Sequence, residues 1–155
     1  MKNTEILEKI KEYFKLEELI DKETFTKYGQ TAWQFLDTQT LHCLLIVREG
    51  LNKPITVNTW HKGGNFSQRG LRHNKSPMVK NKTGIYLSAH CLGKAFDFDV
   101  KGISPVEVRE WIEQYKYLFH CKVRLERNMN GKPINWVHLD TLQNAKNEKI
   151  YKFDV

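Results

Sequence analysis

One short run of residues, Ala95–Val100, constrains the fold of this chain more than any other segment. Its apolar and acidic side chains alternate with the period of a β-strand. One face of the predicted strand carries Phe96, Phe98 and Val100, and the other carries Ala95, Asp97 and Asp99. Because the aromatic face must be buried, we expect the carboxylates to face a groove or the solvent.

Histidines accompany these carboxylates in two segments of the chain. His90 lies in a turn-like segment just before the strand, and Gly93 can take up dihedral angles that let the imidazole approach Asp97. A second short strand over residues 135–140 carries His138. Two imidazoles and one carboxylate from these segments would form a three-ligand site, which is the arrangement of a catalytic zinc ion with an open fourth position.

The two segments contain the motifs Ser88-x-His90-x-x-Gly93-x-Ala95-x-Asp97 and Trp136-Val-His138-x-Asp140. Together they resemble the zinc D-Ala-D-Ala carboxypeptidase family, which includes vancomycin-resistance dipeptidases and phage L-alanyl-D-glutamate endopeptidases. The Hedgehog signalling domain shares the fold of that family. The resemblance covers about residues 14–141, and its specific motifs are confined to these two segments.

The resemblance implies a fold, a metal and an activity. The fold would be a single α+β domain over residues 1–155, with a central, mostly antiparallel sheet flanked by helices, of the Hedgehog/DD-peptidase type. One Zn²⁺ per chain would be bound by His90, Asp97 and His138. The activity would be hydrolysis of peptide bonds in peptidoglycan stem peptides, by a DD-carboxypeptidase or an L,D-endopeptidase such as a phage endolysin or virion-associated lysin. The alternative is a phage structural or wall-binding protein that keeps the metal but has lost catalysis.

The general base is the point at which this sequence departs from the family. Many relatives carry an acid three positions before the last histidine, where this chain has Asn135. We expect Glu126, on the partner strand of a hairpin, to be the base, with Asp140 as the next candidate. A two-residue turn at Asn130-Gly131 would pair Glu126 with Asn135, and a bulge would bring Glu126 opposite Trp136 instead.

Further residues have supporting roles by the same resemblance. A cationic side chain from the long polar segment at residues 61–84 would contact the substrate, and both Arg69 and Arg72 are candidates. An arginine suits this role because its planar fork can grip a carboxylate or a polarised carbonyl. Ser88 would hydrogen-bond near the substrate, and Trp136 would pack beside the site and line its pocket. The residues that would support the ligands without binding the metal are Asp140, Asp99 and Asn135.

Composition limits the classes of partner. The chain has 155 residues, and 25 Lys and Arg against 18 Asp and Glu give a formal net charge of +7. This excess favours anionic partners such as nucleic acid, a membrane surface or a cell-wall polymer. A nucleic-acid enzyme is the third candidate function, after the peptidase and the metal-holding protein without catalysis. The sequence has no His-Asn-His strand pair and no base-deaminase signature, so we expect no nucleic-acid partner. No run approaches the ~20 apolar residues of a membrane span, so we expect no membrane insertion.

The cysteines and the N-terminal segment bear on the compartment. Cys43, Cys91 and Cys121 are an odd number without Cys-x-x-Cys spacing, so we expect free thiols rather than a disulfide framework. The first ten residues are charged and amphipathic, unlike a signal peptide. We therefore expect a monomer made in the cytoplasm, which reaches a cell wall through lysis or within a virion.

The remaining segments give a coarse prediction of secondary structure. We expect a helix from a Thr4 cap to about Lys15, and a turn-like stretch over residues 16–28. A longer helix is predicted from Thr31 to a terminating Gly50. The other predicted elements are a strand at 55–60, a helix starting at Ser104-Pro105, a strand at 122–127, a return strand at 134–140, and a tail at 144–155 that pairs as an edge strand or frays.

Overall fold

The computed structural model describes residues 1–155 as five α-helices and a five-stranded sheet. The helices are α1 (Asn3–Tyr13), α2 (Leu16–Leu19), α3 (Lys22–Tyr28), α4 (Thr38–Leu51) and α5 (Pro105–Gln114). The strands are β1 (Ile55–Thr56), β2 (Ala95–Val100), β3 (Val123–Met129), β4 (Lys132–Asp140) and β5 (Ile150–Asp154). Short 3₁₀ segments lie at Gly29–Phe35, Trp60–Lys62 and Lys116–Leu118.

The sheet has the strand order β1-β2-β4-β3-β5. Neighbouring strands are antiparallel except for β3 and β5, which are parallel. The prediction of an α+β fold with a mostly antiparallel sheet is therefore confirmed. The tail pairs as an edge strand, one of the two predicted alternatives.

Strand β2 has the predicted bounds and the predicted apolar face. Phe96 and Phe98 are completely buried, and they share one continuous core with Leu44 of α4 and Ile112 of α5. Burial of an aromatic side chain of this size stabilises a fold by about 1.5–3 kcal/mol. The helices thus cover one face of the sheet, and the acidic face of β2 is left for polar chemistry.

The β3–β4 hairpin turns at Asn130-Gly131 as predicted, but its register is not the predicted one. Both turn residues have positive φ, 51° and 73°, as a two-residue hairpin requires. Asn128 pairs with Pro133, yet the next pair along the ladder is Glu126 with His138. Between these two pairs, β4 has the four residues 134–137 and β3 has only Arg127. Because of this irregularity, Glu126 pairs with His138 rather than with Asn135 or Trp136.

The N-terminal helices differ from the prediction. Helix α1 begins one residue before Thr4, because the Glu5 carboxylate accepts a hydrogen bond from the backbone N–H of Lys2 at 2.8 Å. The stretch predicted to be turn-like contains α2 and α3. Asp21 caps α3, since its carboxylate accepts hydrogen bonds from the backbone N–H and the hydroxyl of Thr24 at 3.0 and 2.6 Å.

The predicted helix from Thr31 to Gly50 is divided in two. Asp37 interrupts it and caps α4 by accepting a hydrogen bond from the backbone N–H of Thr40 at 2.9 Å. Helix α4 continues through Gly50, and Asn52 takes the left-handed conformation instead, with φ 48°. Gly50 is needed for packing, because a Cβ there would lie 2.3 Å from the indole of Trp111.

The remaining elements agree with the prediction in part. The strand predicted over residues 55–60 ends at Thr56, and Trp60 donates its indole N–H to the carbonyl of Ile20 at 2.8 Å. Helix α5 begins with the predicted capping box between Ser104 and Glu107. None of the helices combines the length and apolar character needed to cross a membrane.

Candidate metal centre

Strand register places three ionisable side chains in one row on the polar face of the sheet. Asp97 of β2 pairs with His138 of β4, and His138 pairs on its other side with Glu126 of β3. Directly paired residues point to the same face of a sheet. The sequence predicted the first two members of this row at one site, and the irregular register of β4 brings the third beside them.

His90 reaches the same point from the turn before β2. Gly93 closes this turn with φ 67°. It packs against the end of the 3₁₀ segment Gly29–Phe35, where a Cβ would lie 2.0 Å from the carbonyl oxygen of Phe35. The Nδ1–H of His90 donates to the carbonyl oxygen of Gly70 at 2.8 Å. Nε2 of the same ring therefore faces Oδ2 of Asp97, at 3.2 Å.

His138 is oriented by a second carboxylate. Its Nε2–H donates to Oδ2 of Asp140 at 2.9 Å, and its Nδ1 lies 2.7 Å from Oδ1 of Asp97. Asp140 is fully buried and accepts two hydrogen bonds from the guanidinium of Arg124, at 2.7 and 2.9 Å. This chain of contacts fixes the plane of the imidazole and keeps Nδ1 directed at Asp97.

The donor set fits a divalent transition metal. One ligand atom from each of His90, Asp97 and His138 lies within 4.8 Å of the other two, and all three residues are at most 8% exposed. The other nitrogen of each ring already donates to a fixed acceptor, so each ring directs its remaining nitrogen to the shared point. Two imidazole nitrogens and one carboxylate oxygen are ligands that suit zinc.

The electrostatics show what balances the buried carboxylate. Burial alone would raise the pKa of Asp97, but hydrogen bonds with His138 and His90 outweigh it and hold the pKa well below its usual range. Burial works to lower the pKa of His138, yet its hydrogen bonds to Asp140 and Asp97 raise the pKa to about 9. Burial lowers the pKa of His90. A proton on His138 thus supplies positive charge where a metal ion would supply it.

Glu126 is the unusual member of the row. Its Oε1 atom is buried and has no hydrogen-bond partner, although the side chain lines the same cavity as the three candidate ligands. Burial raises the pKa of this carboxyl. A buried acceptor without a partner costs about 1–3 kcal/mol, and such a cost is typical of a functional site.

The structure distinguishes the two candidate arginines. Arg72 is buried, donates to Oδ2 of Asp97 at 3.1 Å and is steadied by a 2.7 Å hydrogen bond from Nε to the carbonyl of Gln68. Arg69 instead forms an ion pair with Asp99 at 2.5 Å and stacks on the ring of Phe66. Arg72 therefore contacts the candidate metal centre and lines its cavity, whereas Arg69 does not line that cavity.

The cavity over the centre has a volume of about 360 Å³. Ser88 and Trp136 both line it, as expected of substrate-binding residues. Asn135 does not line it, and its side chain is exposed in the irregular part of β4. Sequence reasoning missed several other lining residues, among them Met78, Tyr86, Arg124 and Phe153.

The missed residues had different signals in the sequence. Arg124 precedes Glu126 by two positions in a strand, so period-two alternation alone could have placed it on the polar face. Phe153 contacts His138 edge-on, with ring centroids 5.9 Å apart, through the pairing of β5 with β3. No local pattern in the tail predicts that pairing.

A second group of potential ligands differs in its hydrogen bonding. Asp21, Glu23 and His73 also have ligand atoms within 4.8 Å of one another. Nδ1 of His73 accepts a hydrogen bond from the backbone N–H of Lys75 at 3.1 Å, so its proton is on Nε2 and points at both carboxylates. This group is a hydrogen-bonded cluster that anchors the loop to α3, and its tautomer disfavours metal binding.

No protein-family model, curated protein or solved structure matches this chain.

Proposed function

We propose that this protein is a zinc-dependent peptidase of the Hedgehog/DD-peptidase type that hydrolyses peptide bonds in peptidoglycan stem peptides. The observation that carries the proposal is the convergence of His90, Asp97 and His138, with the second nitrogen of each imidazole already held by a fixed acceptor. The motifs that resemble the zinc D-Ala-D-Ala carboxypeptidase family support the choice of substrate.

The ligands would be Nε2 of His90, a carboxylate oxygen of Asp97 and Nδ1 of His138. A bound zinc ion supplies Lewis acidity, which lowers the pKa of water and polarises a carbonyl group. Glu126, with its free Oε1 and raised pKa, is placed to accept a proton from the attacking water and to return it to the leaving amine.

Arg72 gives the site its fixed positive charge. Its guanidinium donates to Asp97 through Nη2 and to a backbone carbonyl through Nε, so its direction is set before a substrate arrives. The remaining donors can stabilise the oxygen of the scissile carbonyl as negative charge develops on it. The cavity walls formed by Trp136, Tyr86 and Met78 offer apolar contacts to side chains of a peptide.

The net charge of +7 suits an anionic cell wall, where it would hold the enzyme near its substrate. Such a protein would act as a phage endolysin or virion-associated lysin. One observation favours the second candidate, a wall-binding protein that holds the metal without hydrolysis. The position where many relatives carry their acid is Asn135, which is exposed and cannot accept a proton.

Metal analysis combined with mass spectrometry of digested muropeptides tests the proposal. We expect one zinc ion per chain and release of new amines from purified peptidoglycan. Glu126→Gln should abolish release and keep the zinc, whereas Glu113→Gln, which alters a surface ion pair with Lys152, should retain both. Zinc at one per chain with no product from the wild type would favour the binding protein. A wild type that takes up no zinc would overturn both candidates.

A further inference from the structure

Two His-Cys dipeptides face each other away from the candidate metal centre. His42-Cys43 belongs to α4, and His120-Cys121 lies just before β3. The two Sγ atoms are 3.4 Å apart, although 78 positions separate the residues in sequence. The imidazoles of the same dipeptides stack, with ring centroids 5.2 Å apart and planes inclined by 11°.

The two thiols differ in access to solvent. Cys43 is buried, while Cys121 is half-buried, and both line an open cavity of about 200 Å³. The hydrogen bond between them lowers the pKa of Cys121 to about 7, and the same contact together with burial raises the pKa of Cys43. Cys121 is therefore the thiol that ionises and meets a reagent first.

We propose that Cys43 and Cys121 form a reversible intramolecular disulfide that joins α4 to the sheet. A disulfide requires the sulfur atoms to approach to about 2.05 Å, so the existing contact needs only a small side-chain movement. Neither thiol lines the cavity of the candidate metal centre, so the bond is a separate modification site of the fold.

A low-molecular-weight disulfide such as oxidised glutathione is a sufficient oxidant. The Cys121 thiolate attacks one of its sulfurs, forming a mixed disulfide and releasing one glutathione thiolate. Cys43 then loses its proton and attacks the sulfur of Cys121, which expels the second glutathione. Two protein thiols are oxidised, one glutathione disulfide is reduced to two thiols, and the electrons balance.

The third cysteine provides an internal control. The thiol of Cys91 accepts a hydrogen bond from the hydroxyl of Ser88, and both other cysteines belong to the facing pair. Ser88 lines the cavity of the metal centre, so Cys91 lies near that site rather than near α4. Oxidation of the protein should therefore leave Cys91 as a free thiol.

The experiment treats the full-length protein with oxidised glutathione and measures free thiols, intact mass and tryptic peptides. We expect a loss of two hydrogen atoms, one peptide linking Cys43 to Cys121, and a rise in Tm of about 5–10 °C that dithiothreitol reverses. Cys91→Ser should behave in the same way. Cys43→Ser should instead accumulate a mixed disulfide at Cys121.

Two results would overturn the proposal. One is a wild type that keeps all its thiols, or only adds glutathione, under conditions that oxidise a dithiol peptide control. The other is a crosslink that includes Cys91. Because the wild-type protein and Cys91→Ser decide the outcome, failure of Cys43→Ser to fold would not leave the question open.

Discussion

Nδ1 of His138 lies 2.7 Å from Oδ1 of Asp97, its cross-strand partner, in a row of side chains that also includes Glu126. The side chains of His138 and Asp97 are both held by residues outside this row. Asp140 accepts a hydrogen bond from Nε2 of His138, and Arg72 donates to Oδ2 of Asp97. The two atoms therefore point at one another, where they share a proton in the metal-free protein and where both would turn to a bound metal ion. This relationship leads to the first prediction.

Stability of metal-free protein should fall as pH rises through about 9. The folded-state pKa of His138 is about 9, above its ordinary value of 6.5, so the stabilisation is complete below about 6.5 and lost above 9. The expected loss between these limits is about 2–3 kcal/mol. Urea unfolding at several pH values, with metal removed by chelation, measures it. His120→Gln, at an exposed histidine, should keep the same profile, and His138→Gln should flatten it.

Asp140→Asn should weaken zinc binding by about 10- to 100-fold, because an amide is a poorer partner for the Nε2–H of His138 and leaves Arg124 without its carboxylate. Competition with a chromophoric chelator measures the affinity directly. The matched control is Asp99→Asn, two positions beyond Asp97 on the same strand face, whose partner is Arg69. Equal losses in both variants would contradict the proposed role of Asp140.

Substitution of Arg72 and of Arg69 should have different effects on kcat. Arg72→Gln should lower kcat on a stem-peptide substrate by about 10²- to 10³-fold, because a preorganised donor to the developing oxyanion is removed. Arg69→Gln should change kcat little, since Arg69 does not line the cavity that contains the three candidate ligands. Zinc content of both variants provides the control for the integrity of the centre. The opposite order of effects would assign the substrate contact to Arg69.

The parts of the site that the sequence predicted depend on local patterns. The alternation in β2 and the glycine of the preceding turn are contained in a single short segment, so the convergence of His90 and Asp97 could be inferred. His138 could be added because its own strand shows the same period. The first two features need no knowledge of how distant strands pair, whereas the pairing of His138 with Asp97 does, and the family resemblance supplied it.

The parts that could not be predicted depend on non-local pairing. The register of Glu126 follows from an irregularity in β4, where residues 134–137 face only Arg127, and no turn rule specifies such an insertion. Phe153 joins the site through the parallel pairing of β5 with β3. The break before α4 is a different case, because Asp37 followed three positions later by Thr40 is a capping signal that the sequence contained.

The aromatic face of β2 should dominate the stability of the fold. Phe98 is completely buried in the shared core of sheet and helices, so Phe98→Ala should reduce the free energy of unfolding by about 3–5 kcal/mol. Val106 of α5 is 50% exposed, so Val106→Ala should change the free energy of unfolding by less than about 0.5 kcal/mol. Chemical denaturation of both variants in the presence of saturating zinc measures the difference. Similar losses in the two would mean that β2 is not central to the core.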